Sequence, residues 1–174
     1  FGGPRFMGIY DPATDQYRHK SLGASGPVVH DMAVSPYDST VYAATETGVW
    51  AFAGQEWSVS FPVNDPTADG LNIAVAPDNS VWVLTATSNG QTIQNHLSVR
   101  APGGDWQGFL LPRTASGLAI APDTAVWLAV FDQVYRYKNG VLTVFDSITV
   151  GYPFTGQTDL LLEIHPDKQG KIWL

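Results

Sequence analysis

The sequence predicts an all-β protein assembled from repeated four-stranded antiparallel sheets. Three observations support this fold class: a composition rich in turn-forming residues, a proline-anchored motif that occurs four times, and a strand–turn–strand pattern that follows the motif. Apolar residues make up 44% of the 174 residues and charged residues only 14%, with 17 Gly, 12 Pro and six Trp. This profile is typical of a turn-rich β protein and argues against a disordered chain or a helical bundle.

The repeat is anchored on a proline that separates a mostly aliphatic run from an aliphatic–aromatic pair. Successive anchors are 41, 45 and 44 residues apart. Each pair follows a short turn and indicates the start of a second strand. The motifs are MAVSPYDSTVYA at 32–43, IAVAPDNSVWV at 73–83, LAIAPDTAVWL at 118–128 and LEIHPDKQGKIWL at 162–174, with anchors Pro36, Pro77, Pro122 and Pro166.

The segment after each of the first three motifs predicts two more strands, joined by a turn that contains glycine. These segments are GVWAFAGQEWSV at 48–59, HLSVRAPGGDWQGF at 96–109 and QVYRYKNGVLTVF at 133–145. Each unit then holds four short strands in about 43 residues, a period typical of a β-propeller blade. The three predicted blades cover residues 28–60, 71–109 and 117–146.

A fourth blade is predicted to be split between the two ends of the chain, as 162–174 plus 1–20. The first part supplies two strands, and the second supplies the strand FMGIY, the turn DPATDQ and the strand QYRH. We expect the C-terminal KIWL to pair antiparallel with FMGIY, because an unpaired apolar edge exposes backbone groups and invites aggregation. Three closures satisfy both edges: a four-bladed ring in one chain, an eight-bladed homodimer, or neighbours from a longer parent chain. We favour the homodimer, because four blades must splay widely to close a ring.

The joined ends carry a family resemblance. DKQGKIWL followed by FGGPRFMGIYDPATDQY resembles the two-component regulator propeller repeat, whose pattern is D-x-x-G-x-I/L-W-I/L-G-T, a short gap and G-[LI]-x-x-[YF]-D. The other three blades follow this pattern more loosely. The resemblance implies an extracytoplasmic sensor region of a bacterial signalling protein, periplasmic or secreted, and it extends to solute-binding and lyase propellers with similar blades. The matching residues are Asp167, Gly170, Ile172, Trp173, Leu174, Gly8, Ile9, Tyr10 and Asp11.

Side chains alternate in size along the strand that precedes each proline. The positions four and two residues before it are large and aliphatic, and the positions three and one before it are Ala or Ser in three of the four units. Because successive side chains point to opposite faces of a strand, a large face can pack against a small one between stacked blades. The aromatic residues after the turn are expected to be core, with Trp82, Trp127 and Trp173 equivalent and buried.

Charge and composition argue against several functions. The net charge is −7 without acidic runs, and no Lys/Arg cluster is present, so nucleic-acid binding is not expected. No apolar run approaches the roughly 18 residues of a membrane span, so no direct membrane insertion is expected. The absence of Cys excludes disulfides and thiol chemistry. A start at Phe1 rather than Met predicts an internal cut or a processed end.

Glu163 and His165 interrupt the size alternation, because the other units carry Ala or Ser at these places. A carboxylate and an imidazole two residues apart on one strand face could bind a metal or transfer a proton. The competing interpretation is a solvated strand end. The four His share no metal-ligand spacing, and hydrolase, metalloprotease, phosphate-loop and dinucleotide motifs are absent. No catalytic residue, metal or cofactor is therefore predicted, and these two residues are the metal candidates.

Function is expected at the loop face, which carries the loops between blades and those between the second and third strands of each blade. Loops on a rigid scaffold commonly hold binding residues. We predict a non-catalytic module that recognises a small polar ligand or a peptide there. Two alternatives stay open: a propeller lyase or other enzyme with a His/acid pair in the central channel, and an engineered or excised scaffold without a ligand. The candidate binding residues are Arg5, Asp31, Glu46, Asp69, Arg113, Asp132, Tyr152 and Asp159.

Overall fold

The computed structural model describes residues 2–3, 6–22, 26–54, 56–62, 69–88, 91–131, 133–146 and 163–174. Regular structure in these ranges consists of β-strands without a helix, which confirms the predicted all-β class. The described ranges accordingly contain no helix suited to crossing a membrane.

Five antiparallel sheets follow one another along the chain, and in each sheet consecutive strands are neighbours. Sheet 1 contains β1 (Gly2–Gly3), β2 (Phe6–Asp11) and β3 (Gln16–Ser21). Sheet 2 contains β4 (Val29–Val34), β5 (Val41–Thr45), β6 (Gly48–Ala53) and β7 (Glu56–Pro62). Sheet 3 contains β8 (Asp69–Val75), β9 (Val81–Ser88), β10 (Ile93–Arg100) and β11 (Trp106–Leu110). Sheet 4 contains β12 (Gly117–Ile120), β13 (Val126–Val130), β14 (Gln133–Lys138) and β15 (Val141–Phe145), and sheet 5 contains β16 (His165–Pro166) and β17 (Ile172–Trp173).

The predicted hairpin turns connect the first two strands of sheets 2 to 5. In sheet 3 the Asn79 N–H donates to the Ala76 carbonyl at 2.8 Å, and in sheet 4 the Thr124 N–H donates to the Ala121 carbonyl at 2.9 Å. Asn79 and Thr124 adopt φ angles of 64° and 65°. A residue in this left-handed region lets so short a connection match the twist of the two strands.

The turn of sheet 5 corrects the alignment on proline. Its Gly170 N–H donates to the Asp167 carbonyl at 3.0 Å, so this turn begins after Pro166, whereas the equivalent turns begin before their prolines. Pro166 itself lies in β16 opposite Ile172. The hairpin is positioned by the residue that accepts a left-handed conformation, here Gly170 with φ 81°. The two-residue shift keeps every side chain on its predicted face, because the side-chain period of a strand is two.

Apolar side chains fill the spaces between successive sheets, as the alternating pattern predicts. Sheets 2 and 3 share a buried cluster of Tyr42, Ala44, Val49, Ile73, Val81 and Val83. Sheets 3 and 4 share Ala76, Trp82, Leu84, Leu97, Leu111, Ala115, Val126, Leu128, Val130 and Tyr135. Sheets 4 and 5 share Ala119, Ala129, Val134 and Ile164.

A polar contact joins sheets 2 and 3 beside their apolar cluster. Arg100 donates from Nη1 to Ser60 Oγ at 2.7 Å and from Nη2 to the Tyr42 hydroxyl at 2.9 Å. Its guanidinium carbon also lies 5.4 Å from the ring centroids of Tyr42 and Trp106. Trp106 Nε1 donates to the Ser60 carbonyl at 2.9 Å. These bonds join the two sheets in addition to the apolar packing.

The three tryptophans after the turns are not equally buried. Trp82 is buried, and Trp127 is half-buried against Phe145, with ring centroids 5.7 Å apart. Trp173 is 62% exposed, so the prediction that all three are buried is wrong for this residue. The physical reason is that sheet 5 has two strands in the described part of the chain, which leaves the outer side of β17 uncovered.

The predicted joining of the two chain ends into one sheet is not formed within the single chain. β17 pairs with β16, and β2 pairs with β1 and β3, so the two halves belong to separate sheets. The edge of β2 at Phe6 and Met7 is occupied by Gly2–Gly3, which takes the place expected for β17. The described strands of the two chain ends therefore do not form a shared sheet.

Candidate functional site

A cavity of about 530 Å³ opens at the loop face between sheets 3 and 4. It is formed where the start of β10, the connection from β11 to β12 and the turn after β13 come together. The apolar lining consists of Ile93, Leu110, Leu111, Pro112 and Phe131, and the polar lining of Gln94, Asn95, Arg113 and Thr114. We refer to it as the loop-face cavity.

The wall of the loop-face cavity is held in place by Asn95, which is 1% exposed. Asn95 Oδ1 accepts from the Ala115 N–H at 2.7 Å, and Nδ2 donates to the Thr85 carbonyl at 3.3 Å. The Asn95 carbonyl accepts from the Leu111 N–H at 2.8 Å. One buried residue thus binds the connecting loop at two points, so the cavity wall is preorganised.

Three large apolar side chains of the lining are exposed to water: Ile93 at 59%, Leu110 at 54% and Phe131 at 43%. Phe131 also has φ 49°, in the left-handed region that bulky residues rarely adopt. Such a conformation persists only where the surrounding structure imposes it, and it is concentrated at functional sites. The cavity therefore presents an apolar surface to solvent, and the backbone around it holds these side chains in exposed positions.

Arg113 supplies the positive charge of this cavity. It lies on the loop between β11 and β12, and it is the one charged side chain among the described residues that line the cavity. Gln94 and Thr114 add an exposed amide and an exposed hydroxyl. The combination can bind a molecule through both an apolar body and hydrogen-bond acceptors.

Arg113 is the predicted binding residue that the structure places in this cavity. Asp31 has a different position: its Oδ1 accepts from the Met32 N–H at 2.8 Å and its Oδ2 from the Ile73 N–H at 2.9 Å. It thereby joins inner strands of sheets 2 and 3. Glu46 Oε1 accepts from the Val28 N–H at 3.3 Å and closes the local loop.

The other loop-face candidates cannot be placed in the cavity by their side chains. Asp69 begins β8, and only its backbone is described. Arg5, Asp132, Tyr152 and Asp159 lie outside the described residues.

The two metal candidates contact each other at the start of sheet 5. His165 Nε2 lies 3.1 Å from Glu163 Oε2, and both side chains are exposed. Across the described ranges no group of three or more His, Cys, Asp or Glu side chains is arranged to hold a metal ion. In the corrected turn register, Glu163 is equivalent to Asn72 of sheet 3 and to Asp31 of sheet 2.

A second cavity, of about 590 Å³, lies at the opposite end of the inner strands, between the hairpin turns. Pro36, Pro77, Pro122 and Pro166 all line it, which gives the repeated prolines a common location. The Tyr37 hydroxyl donates to the Pro77 carbonyl and links two of these turns. Its lining is mainly apolar, with Lys168 and Asp167 as the charged residues.

Sequence reasoning missed the apolar half of the loop-face cavity. Ile93, Leu110 and Phe131 are not among the sequence-based candidates, nearly all of which are charged. One usable signal was present: Phe131 is an aromatic residue in the short FDQ loop, where turn-forming residues are more usual. The buried Asn95 had no comparable signal, since its bonds run to residues 10 and 20 positions away.

No protein-family model matches the chain, and no curated protein matches it. Solved structures are similar to it at low identity. The extracellular domain of the proposed one-component system BT4673 from B. thetaiotaomicron superposes with a TM-score of 0.73 at 15% identity, over 99% of this chain and 24% of that chain. Regucalcin from Agrobacterium tumefaciens, a calcium-binding protein, superposes at 0.70 and 15%, over 98% and 59%.

A gluconolactonase from Xanthomonas campestris superposes with a TM-score of 0.67 at 14% identity, over 98% of this chain and 62% of that chain. The chain thus spans about a quarter of the BT4673 extracellular domain and about three fifths of the other two proteins. At these identities the likeness shows the fold alone. Together with the stacked four-stranded sheets, it establishes a β-propeller fold.

Proposed function

We propose that the chain is a non-catalytic ligand-binding part of a β-propeller and that it works in an extracytoplasmic sensor. The observation that carries this proposal is the loop-face cavity, where Ile93, Leu110 and Phe131 stay exposed beside Arg113. Its volume lies within the range of about 300–1,000 Å³ that is usual for small-molecule sites. The likeness to the extracellular domain of a proposed one-component system supports the sensor role and the location.

The test is a saturation-transfer NMR screen of small ring-containing fragments against the folded protein. We expect fragments that bind the wild-type chain to lose binding in Leu110→Asp, which places a charge on the apolar wall. Leu110 is largely exposed, so this variant should fold. Val141→Asp is the matched control, because Val141 is an exposed apolar residue of β15 outside the cavity. A screen without hits, or equal binding to Leu110→Asp, would exclude the site.

An enzymatic role is the second candidate. Asp31 and Asn72 hold equivalent positions on inner strands, Glu163 holds the equivalent position just before β16, and Asn72 Oδ1 is buried with no hydrogen-bond partner among the described residues. One of the similar structures is a gluconolactonase. We expect no hydrolysis of glucono-δ-lactone above the uncatalysed rate. Elemental analysis that finds stoichiometric metal, lost in both Glu163→Gln and His165→Ala, would replace the binding proposal with this one.

A further inference from the structure

We infer that the loop-face cavity takes a small carboxylate with a flat apolar body, its ring against Phe131 and Leu110 and its carboxylate on Arg113. This inference rests on the proposed function, and it names the chemical class of the ligand. Three independent features of the cavity support this inference: its exposed apolar side chains, its charge and its shape.

The apolar part follows from exposure. Ile93, Leu110 and Phe131 place large apolar side chains in water around one opening of about 530 Å³. A ligand that covers them removes that surface from water, which favours binding in proportion to the area covered. A planar ring suits the position of Phe131, because aromatic faces pair by offset stacking or edge contact.

The charge of the ligand follows from Arg113. Acidic side chains are absent from the lining in the part of the chain that the structure describes, so these residues offer a partner to an anion and none to a cation. A guanidinium carries five N–H donors in a planar fork that matches the two oxygens of a carboxylate. Gln94 and Thr114 stand on the same lining and can donate to a second acceptor. The chain as a whole carries −7, so the contact with Arg113 has to offset a long-range repulsion of any anion.

Shape supports a small ligand rather than a long one. The connection after β11 is held by two hydrogen bonds that Asn95 accepts, from the Ala115 N–H and the Leu111 N–H. Because the cavity wall does not have to change shape when a ligand binds, the cavity favours a rigid ligand of matching size.

The experiment compares phenylacetate with phenylacetamide, its neutral analogue of nearly the same shape, by NMR titration at low ionic strength. We expect phenylacetate to bind about tenfold more tightly, since a charge-assisted bidentate contact is roughly twice as strong as a neutral one. Arg113→Gln should abolish this preference while leaving phenylacetamide binding unchanged. Phe131→Asn should weaken both probes alike, and Asn tolerates the left-handed backbone at this position.

Two further variants control for charge. Lys168→Gln removes one positive charge at the opposite cavity and should leave the tenfold preference intact. Asp132 follows Phe131 in the sequence and lies outside the described residues; Asp132→Asn should keep or strengthen phenylacetate binding. Weaker phenylacetate binding in Asp132→Asn would overturn the inference.

The outcomes separate this inference from the proposed function. Equal affinity for the two probes, with both lost in Phe131→Asn, would overturn the carboxylate assignment and leave a ligand-binding cavity. Failure of both probes to bind would also overturn the assignment, and the fragment screen with Leu110→Asp would then decide the proposed function separately. A preference that survives Arg113→Gln would remove Arg113 from the site.

Discussion

Trp82→Ala and Trp173→Ala test whether burial, rather than place in the repeat, sets the contribution of a tryptophan to stability. Each ring follows its left-handed turn residue by three positions. Trp82 is 9% exposed and Trp173 62% exposed. Trp82 also donates from Nε1 to Ser80 Oγ at 3.0 Å and meets the Tyr137 ring edge-on at 5.6 Å. The two tryptophans therefore occupy the same position in the repeat and differ only in their surroundings.

We expect Trp82→Ala to lower the free energy of unfolding by about 3–5 kcal/mol, the range for a buried aromatic side chain. Trp173→Ala should lower it by about 1–2 kcal/mol, because a ring that is mostly in water gives up proportionally less buried area. Trp127→Ala should fall between the two, since this ring is half-buried and stacked on Phe145.

The assay is urea unfolding followed by far-ultraviolet circular dichroism, at a protein concentration where sedimentation shows single chains. Domain stabilities are only about 5–15 kcal/mol, so Trp82→Phe serves as a milder variant if Trp82→Ala does not fold. The expected loss for Trp82→Phe is smaller than for Trp82→Ala and larger than for Trp173→Phe. Equal losses in Trp82→Ala and Trp173→Ala would refute the reasoning, because they would require Trp173 to be buried in solution.

Three other predictions follow from the same structure. Arg100→Ala should lower the free energy of unfolding by about 2–3 kcal/mol, because it leaves the hydroxyls of Ser60 and Tyr42 without this donor; urea midpoints equal to wild type would contradict this. Hydrogen bonds from the Lys138 side chain and the Ala125 N–H hold the pKa of Asp123 below its ordinary value of 3.8. The ionised Asp123 carboxylate therefore contributes stability above pH 3.8, and this contribution is lost as the pH falls through the lower pKa of the folded state. Asp123→Asn should therefore flatten the loss of stability below pH 3.8, measured by urea unfolding across that range. We also propose an eight-bladed homodimer in which β17 of one copy takes the place that Gly2–Gly3 holds on β2 in the single chain; sedimentation should give a two-chain mass at high concentration, and a one-chain mass at every concentration would exclude the homodimer.

The hairpins and the core faces were predictable from the sequence because their causes are local. A left-handed residue closes each turn, and the residues that can adopt it lie inside the motif, as Asn79, Thr124 and Gly170 show. The alternation of large and small side chains then assigns residues such as Ile73 and Ile164 to the core, since the period of a strand is two. Even the error at Pro166 kept the correct face, because the shift was an even number of residues.

The candidate site was not predictable in the same way, because its residues come from three separate segments of the chain. Only the stacking of sheets 3 and 4 brings Ile93, Arg113 and Phe131 to one opening. The same distant packing turns Asp31 from a candidate ligand contact into a bridge to the Ile73 N–H, 42 residues away. Sequence indicates which side chains are polar or apolar, but exposure depends on which neighbour covers each of them, and that is decided by contacts between sheets.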